Sequence, residues 1–319
     1  MDNVRMRWID MMRGFCMVAI IIDHTIIYYA GAENTDYFFF VYQVLAGFFF
    51  LSGYLFYREG KEAFDLKQKI HSIFRRLVVP YFLFTSLMAI PKALAHHQEL
   101  SWNIVTNILN GHASWFVAAM IVSCLLFSLL LKVSGQRLAV ISIVAMSCLL
   151  FTICQELLTF TFWHWKEAVH FLFFMYVGYL FHRFQNGVTR GIMTPGKGVL
   201  AFSLFLLVMS KYLYLQGMIP SHPILFNLYA VMDSLVCIVV LIQLTQWLPK
   251  ITQIEWIGKK SIIYYFLCGG VPFGVAMMMN KIGVTYSQEI MRLLLAILLT
   301  TLILSVFVWV IDRLIMRHL

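Results

Sequence analysis

The sequence predicts an all-α membrane protein with about ten transmembrane helices and both termini in the cytoplasm. Three observations lead there. Of the 319 residues, 61% are hydrophobic and only 12% are charged, whereas a soluble domain carries about 25% charged residues. Apolar runs long enough to cross a hydrocarbon core recur along the whole chain. The basic residues then fall in short loops on alternate sides of those runs, as the positive-inside bias requires. The net charge of +9 therefore reads as topogenic, and no nucleic acid is expected among the partners.

The expected elements follow in order. Span 1 covers about residues 13–30, behind Arg5, Arg7 and Arg13, and span 2 about 37–57. A basic loop with Arg58, Lys61, Lys67, Lys69, Arg75 and Arg76 leads to span 3 at about 77–95, with Pro80 near its start. Proline is tolerated there because the first helical N–H groups have no partner to lose. A polar stretch from His96 to Ser114 precedes span 4, which begins at Trp115 and ends near Lys132. Spans 5, 6 and 7 are placed at about 138–154, 167–182 and 198–215. Span 8 follows Pro223, and spans 9 and 10 occupy about 261–279 and 290–311.

With this assignment 19 of the 24 Lys and Arg residues share the side of the termini. Lys92, Lys166, Lys211, Lys281 and Arg292 fall on the other, so the termini are expected in the cytoplasm. The whole chain, 1–319, reads as one integral membrane domain. Its first apolar stretch lacks a small-residue cleavage pattern and is read as a retained span. The six cysteines lie in or beside apolar spans without CxxC spacing, which favours neither disulfides nor a metal site.

The polar residues that need a reason are in span 1, Arg13-Gly-Phe-Cys-Met-Val-Ala-Ile-Ile-Ile-Asp23-His24. At about 100° per residue, the eleven steps from Arg13 to His24 leave the two side chains about 20° apart. Asp10 joins the same stripe about 40° to the other side of His24. A rise of 1.5 Å per residue puts His24 about 16 Å beyond Arg13, near the middle of a ~30 Å core if Arg13 marks the boundary. An ionisable group at that depth faces protein or water, not lipid.

An imidazole there has two readings. It is a general base drawing a proton from a hydroxyl nucleophile, or a structural side chain bonded between helices. Asp23 projects about 100° away from His24, so sequence adjacency does not make it the residue that orients the ring. Arg75 and Arg76 suit a phosphate group through forked hydrogen bonds, or serve as topogenic charge. Trp115 is an interfacial anchor or a platform for a sugar. Asp233 is a second intramembrane acid without an evident partner, and His112, Glu167 and His170 either line an entrance for an acceptor or are ordinary polar residues of the surface.

Arg13 and His24, behind an Ile-Asp-x-x-Arg-Gly lead-in, resemble the first-span signature of the acyltransferase-3 family of integral membrane O-acyltransferases. Phe50-Leu-Ser52-Gly53-Tyr54 is similar to its Ser-Gly-aromatic motif, and Arg75-Arg76-Leu-Val-Val-Pro80-Tyr81 to its basic loop before a Pro-Tyr pair. Ser114-Trp115-Phe116, Gly178-Tyr179 and Ile257-Gly258-Lys259-Lys260-Ser261 extend the resemblance over most of the chain. Two departures stand out. Arg75 and Arg76 are adjacent where members often leave two residues between them, and Tyr264-Tyr-Phe-Leu-Cys268 lacks a histidine that many carry.

The resemblance implies transfer of an acetyl or other acyl group from cytoplasmic acyl-CoA to a hydroxyl of a cell-envelope carbohydrate or glycolipid. The expected roles are His24 as general base or acyl carrier, supported by Arg13 and Asp23, with Arg13, Arg75 and Arg76 holding acetyl-CoA. Trp115 and Asp10 are the expected acceptor contacts. No metal is implied, the bilayer is the plasma membrane of a bacterium, and the oligomeric state is left open. A solute or polysaccharide transporter is the alternative, for which Gly269-Gly270-Val-Pro272 would mark a broken span.

Overall fold

A computed structural model of the protein describes residues 6–57, 64–95, 102–154, 162–187, 189–287 and 289–316. Arg5, Arg58, Lys61, His96 and Arg317 lie outside the described residues, as does the side chain of Lys92. Among those described, the regular structure is helical throughout. The chain begins with α1 (Arg7–Tyr29), α2 (Tyr42–Tyr54), α3 (Leu66–Ile73), α4 (Val79–Ala95) and α5 (Trp102–Leu109). It continues with α6 (Trp115–Val133), α7 (Leu138–Cys154), α8 (Trp165–Arg183), α9 (Arg190–Met193), α10 (Lys197–Leu215) and α11 (Pro223–Trp247). The last four are α12 (Thr252–Lys259), α13 (Ser261–Leu267), α14 (Val271–Lys281) and α15 (Ile290–Ile311).

Among the described residues, seven helical segments are long and apolar enough to cross a membrane, or eight if the bent pair α13–α14 counts as one. This is a multi-pass membrane protein. The three expected spans outside the seven are also helical, each with a physical reason for standing apart. α7 is apolar but only 17 residues long. α8 carries Lys166, Glu167, His182 and Arg183 at its ends, yet 11 of its 19 residues are buried. A helix enclosed by protein need not be apolar all round, as a lipid-facing one must. Span 9 breaks between α13 and α14 with a 48° bend at Gly269-Gly270, just before Pro272.

Span 3 differs from expectation. The helix starts at Leu66 rather than near residue 77, so Arg75 and Arg76 are helical and Pro80 lies well inside the segment Leu66–Ala89. A single π-turn, Phe74–Val78, joins α3 to α4 just ahead of Pro80. Proline has no N–H for the helical ladder and its ring crowds the carbonyl four residues back. The wider i→i+5 turn accommodates both within one rod. Asp65 caps the start of that rod, its carboxylate accepting from the Gln68 backbone N–H at 3.0 Å.

The chain divides into two compact units. The first comprises residues 1–44, 84–102 and 248–319, and the second 45–83 and 103–247. In the first unit α1 is the central helix, packed by α12, α13, α14 and α15. Tyr29 joins Val275, Ala276, Met279 and Ala296 in a buried cluster. Arg7 pairs with Glu255, and Lys260 with Asp312, each at 2.5 Å. The two described chain ends therefore lie at the same end of this unit.

In the second unit α8 is the helix others pack around, contacted by α6 and α7, with α10 and α11 forming a further pair. Only Ser203 of α10 is buried, the surface expected of a helix facing lipid. Asp233 of α11 finds its partners across that pair. Its Oδ2 meets Lys211 Nζ at 2.5 Å, and its Oδ1 accepts from Ser210 Oγ at 2.6 Å.

Candidate functional site

α1 runs unbroken from Arg7 to Tyr29, so the wheel geometry applies without correction. Arg13 and His24 share a face about 16 Å apart. Between them Met17, Ile20 and Ile21 are buried, while Arg13 and His24 are each half-buried. The helix ends five residues after His24, which places the imidazole about 8 Å from the helix end and nearer that end than the midpoint.

Around His24 the first unit supplies an aromatic wall and an opening. The Tyr28 ring stacks on the imidazole with centroids 6.4 Å apart, and Phe273 of α14 meets Tyr28 edge-on at 5.8 Å. Tyr28 and Phe273, with Ala276, Met277, Asn280 and Lys281, line an open recess of about 420 Å³. A reactant there would meet an apolar wall interrupted by one amide and one ammonium group.

Asp23 points elsewhere, as its 100° offset demands. It is buried, and its Oδ1 accepts a hydrogen bond from Thr35 Oγ1 at 2.5 Å. Thr35 lies in the short connection that follows α1, ahead of Asp36, whose Oδ1 accepts from Phe38 N at 2.8 Å. The acid thus ties this connection back to the helix that carries His24. Asp10 is 2% exposed. Its carbonyl oxygen faces Gly258 so closely that a Cβ on the glycine would lie 1.8 Å away.

Gly14 returns the contact: a Cβ there would meet the Ile254 carbonyl at 2.1 Å. α1 and α12 cross backbone to backbone through these two glycines, as small residues allow in membrane helices. The second unit repeats the device. A Cβ on Gly53 would lie 1.8 Å from the Met175 carbonyl, and one on Gly178 would lie 1.9 Å from that of Phe50. The glycines of four sequence motifs are thus two reciprocal pairs, one within each unit.

Arg75 and Arg76 are exposed on the π-turn of the second unit. A recess of about 580 Å³ in the same unit is lined by Phe64, Asp65, Leu66, Lys67, Ile70 and Lys132. Its two ammonium groups suit an anionic ligand.

Trp115 begins α6 in the second unit, half-buried, with its ring 6.1 Å from that of His164. Sequence reasoning had left His164 aside, since it belongs to no span. The fold brings it beside two of the three polar residues named for an acceptor entrance. His112 Nδ1 lies 3.3 Å from His164 Nε2, and Glu167 Oε2 lies 3.5 Å from His164 Nδ1.

The backbone that holds His164 is unusual. Trp163 and His164 both adopt left-handed conformations, φ 51° and 49°, at a cost of about 1–3 kcal/mol each. Trp163 is pinned by its backbone N–H to the Asn110 carbonyl and by Nε1 to the Leu109 carbonyl, both at 2.9 Å. Tyr81 and Phe82 pack on its indole. His170, one turn beyond Glu167, shares a hydrogen bond with Thr152 Oγ1 at 3.0 Å. Among the described residues no group of three or more His, Cys, Asp or Glu is placed to hold a metal.

The family model described as an acyltransferase domain, of the acyltransferase-3 type, matches residues 6–310. No curated protein and no solved structure matches the chain.

Proposed function

The chain belongs to the acyltransferase-3 family, and from that premise we propose that it moves an acetyl group from cytoplasmic acetyl-CoA to a hydroxyl of a cell-envelope carbohydrate. The observation that carries this reading is His24. It is a half-buried imidazole on the face of α1 that also bears Arg13, and it stacks on Tyr28, which lines an open recess.

In this reading His24 takes the proton of the acceptor hydroxyl as its oxygen attacks the thioester carbonyl. The C–S bond breaks, and the coenzyme leaves as the thiol once protonated. Arg13, Arg75 and Arg76 hold phosphate or pantetheine groups of the donor by charge-assisted hydrogen bonds. Asp23 acts through Thr35 as a positioning residue, and Trp115 and Asp10 contact the acceptor. No metal takes part. An acyl-histidine relay through His24 needs the same residues and is the variant of this mechanism.

The proposed topology is one domain with ten crossings, counting α7, α8 and the bent α13–α14 pair, and with both termini in the cytoplasm of a bacterial plasma membrane. The bias of 19 basic residues to one side and the shared end of Arg7 and Asp312 in the first unit support it. The break at Gly269-Gly270 and the intramembrane acid Asp233 are features that a transporter would also show; membership of an acyltransferase family favours the enzyme.

The test is transfer of labelled acetyl from acetyl-CoA to surface glycan by membranes holding wild type or His24→Ala. Full transfer by the variant would remove His24 from the chemistry. Solute flux into vesicles without acetyl-CoA would favour the transporter.

A further inference from the structure

The Glu167–His164–His112 chain is a polar constellation outside the α1 site, and with both rings neutral one order of hydrogen bonds fits it. A carboxylate accepts only, so Glu167, 3.5 Å from His164 Nδ1, holds that ring's proton on Nδ1. A neutral imidazole has one N–H, so His164 Nε2 can then only accept. His112 Nδ1, 3.3 Å away, must be the donor to it. That leaves His112 Nε2 as a lone pair on an exposed residue, at the end of a chain polarised by a negative charge.

Aromatic side chains flank the His164 end of this chain. Trp115 lies 6.1 Å from the His164 ring, and Phe162 and Trp165 beside His164 in sequence are both exposed. The backbone is held in place for the purpose. Trp163 and His164 are successive left-handed residues, and Trp163 is fixed by its backbone N–H to the Asn110 carbonyl and by Nε1 to the Leu109 carbonyl. A Cβ on Gly111 would lie 2.8 Å from Trp163 Cα, so the two turns bearing His112 and His164 are pressed together.

We propose that His112, His164, Glu167 and Trp115 form a carbohydrate-binding subsite, in which His112 Nε2 accepts a hydrogen bond from a sugar hydroxyl and Trp115 faces the C–H surface of the ring. A neutral, polyhydroxylated ring matches both halves of the site: O–H donors for a lone pair, and an apolar face for an indole. The subsite rests on the reading of a carbohydrate acceptor and assigns residues to it.

The experiment uses the full chain in detergent, with saturation-transfer NMR on a panel of methyl glycosides of hexoses, 6-deoxyhexoses and N-acetylhexosamines. Wild type is expected to bind at least one of them. His112→Ala should raise its Kd about ten-fold, the loss of one hydrogen bond to a charge-polarised acceptor. His112→Gln, which keeps an acceptor oxygen, should recover part of that, separating lost recognition from lost folding. Glu167→Gln should weaken binding as well, because the carboxylate no longer fixes the proton order.

Undiminished binding by His112→Ala would overturn the subsite, and so would absence of glycoside binding by wild type. Binding abolished by EDTA would overturn it too, assigning the facing imidazoles to a metal. A parallel labelled-acetyl assay keeps the two readings apart. Glycoside binding through His112 without acetyl transfer would leave the subsite and sink the transferase reading. Transfer with an unchanged acceptor KM in His112→Ala would sink the subsite alone.

Discussion

Gly258 of α12 lies against the backbone of Asp10 on α1, so that a side chain of even one carbon would meet the Asp10 carbonyl oxygen at 1.8 Å. The obstacle is backbone, not the movable tip of a side chain, and relief requires one helix to shift. Gly258→Ala should therefore destabilise the first unit by about 1–3 kcal/mol, the usual cost of overpacking. Thermal unfolding in detergent would read it. Gly274 of α14 provides the contrast, since a Cβ there meets nothing within 4 Å. Gly274→Ala should be neutral or gain up to about 1 kcal/mol from helix propensity.

His24→Ala should lower acetyl transfer by about 10²–10⁴-fold, the range for removing a general base, while the unfolding temperature stays near that of wild type. Its ring stacks on Tyr28 without filling the buried cluster around Tyr29. Loss of activity together with loss of fold would assign His24 to structure.

Asp23 and Thr35 should be energetically coupled. Hydrogen bonds to a charged group contribute about 1.5–3 kcal/mol, and this one is partly buried at 2.5 Å. A double-mutant cycle with Asp23→Ala and Thr35→Val should return a coupling of that order. Additive losses would show that Asp23 acts through some other contact.

Lys211→Met should cost about 3–5 kcal/mol by leaving the Asp233 carboxylate, whose side chain is 0% exposed, without its cation. Replacing both partners in Lys211→Met/Asp233→Leu should recover much of the loss, since an apolar pair leaves no buried charge. Acetyl transfer per folded molecule should be unchanged in either variant. A lower rate in the double variant would move this pair from packing to function.

Arg75→Gln and Arg76→Gln should raise the KM for acetyl-CoA with little change in the KM for the acceptor. Each removes a forked donor suited to phosphate. Equal effects on both substrates would instead indicate a structural role for the π-turn.

Much of this protein was legible from composition and period alone. A charge content of 12% leaves no soluble alternative, and a backbone in lipid must satisfy its own hydrogen bonds, which leaves helices for chains of this pattern. The 3.6-residue repeat placed Arg13 and His24 on one face and Asp23 off it, because those angles depend only on α1 being helical. Tertiary structure decided what local rules cannot reach. Pro80 looked like a helix start, since a π-turn that absorbs a proline leaves no mark in residue type. Asp23 and Asp233 had no evident partners because Thr35 and Lys211 come from other segments. Four glycines scattered across the motifs became two reciprocal contacts only when the helices crossed. His164 drew no attention as a loop histidine, and gained meaning only where folding set it between Glu167 and His112. Angles along one helix follow from bond geometry; which side chains meet across helices is fixed by packing.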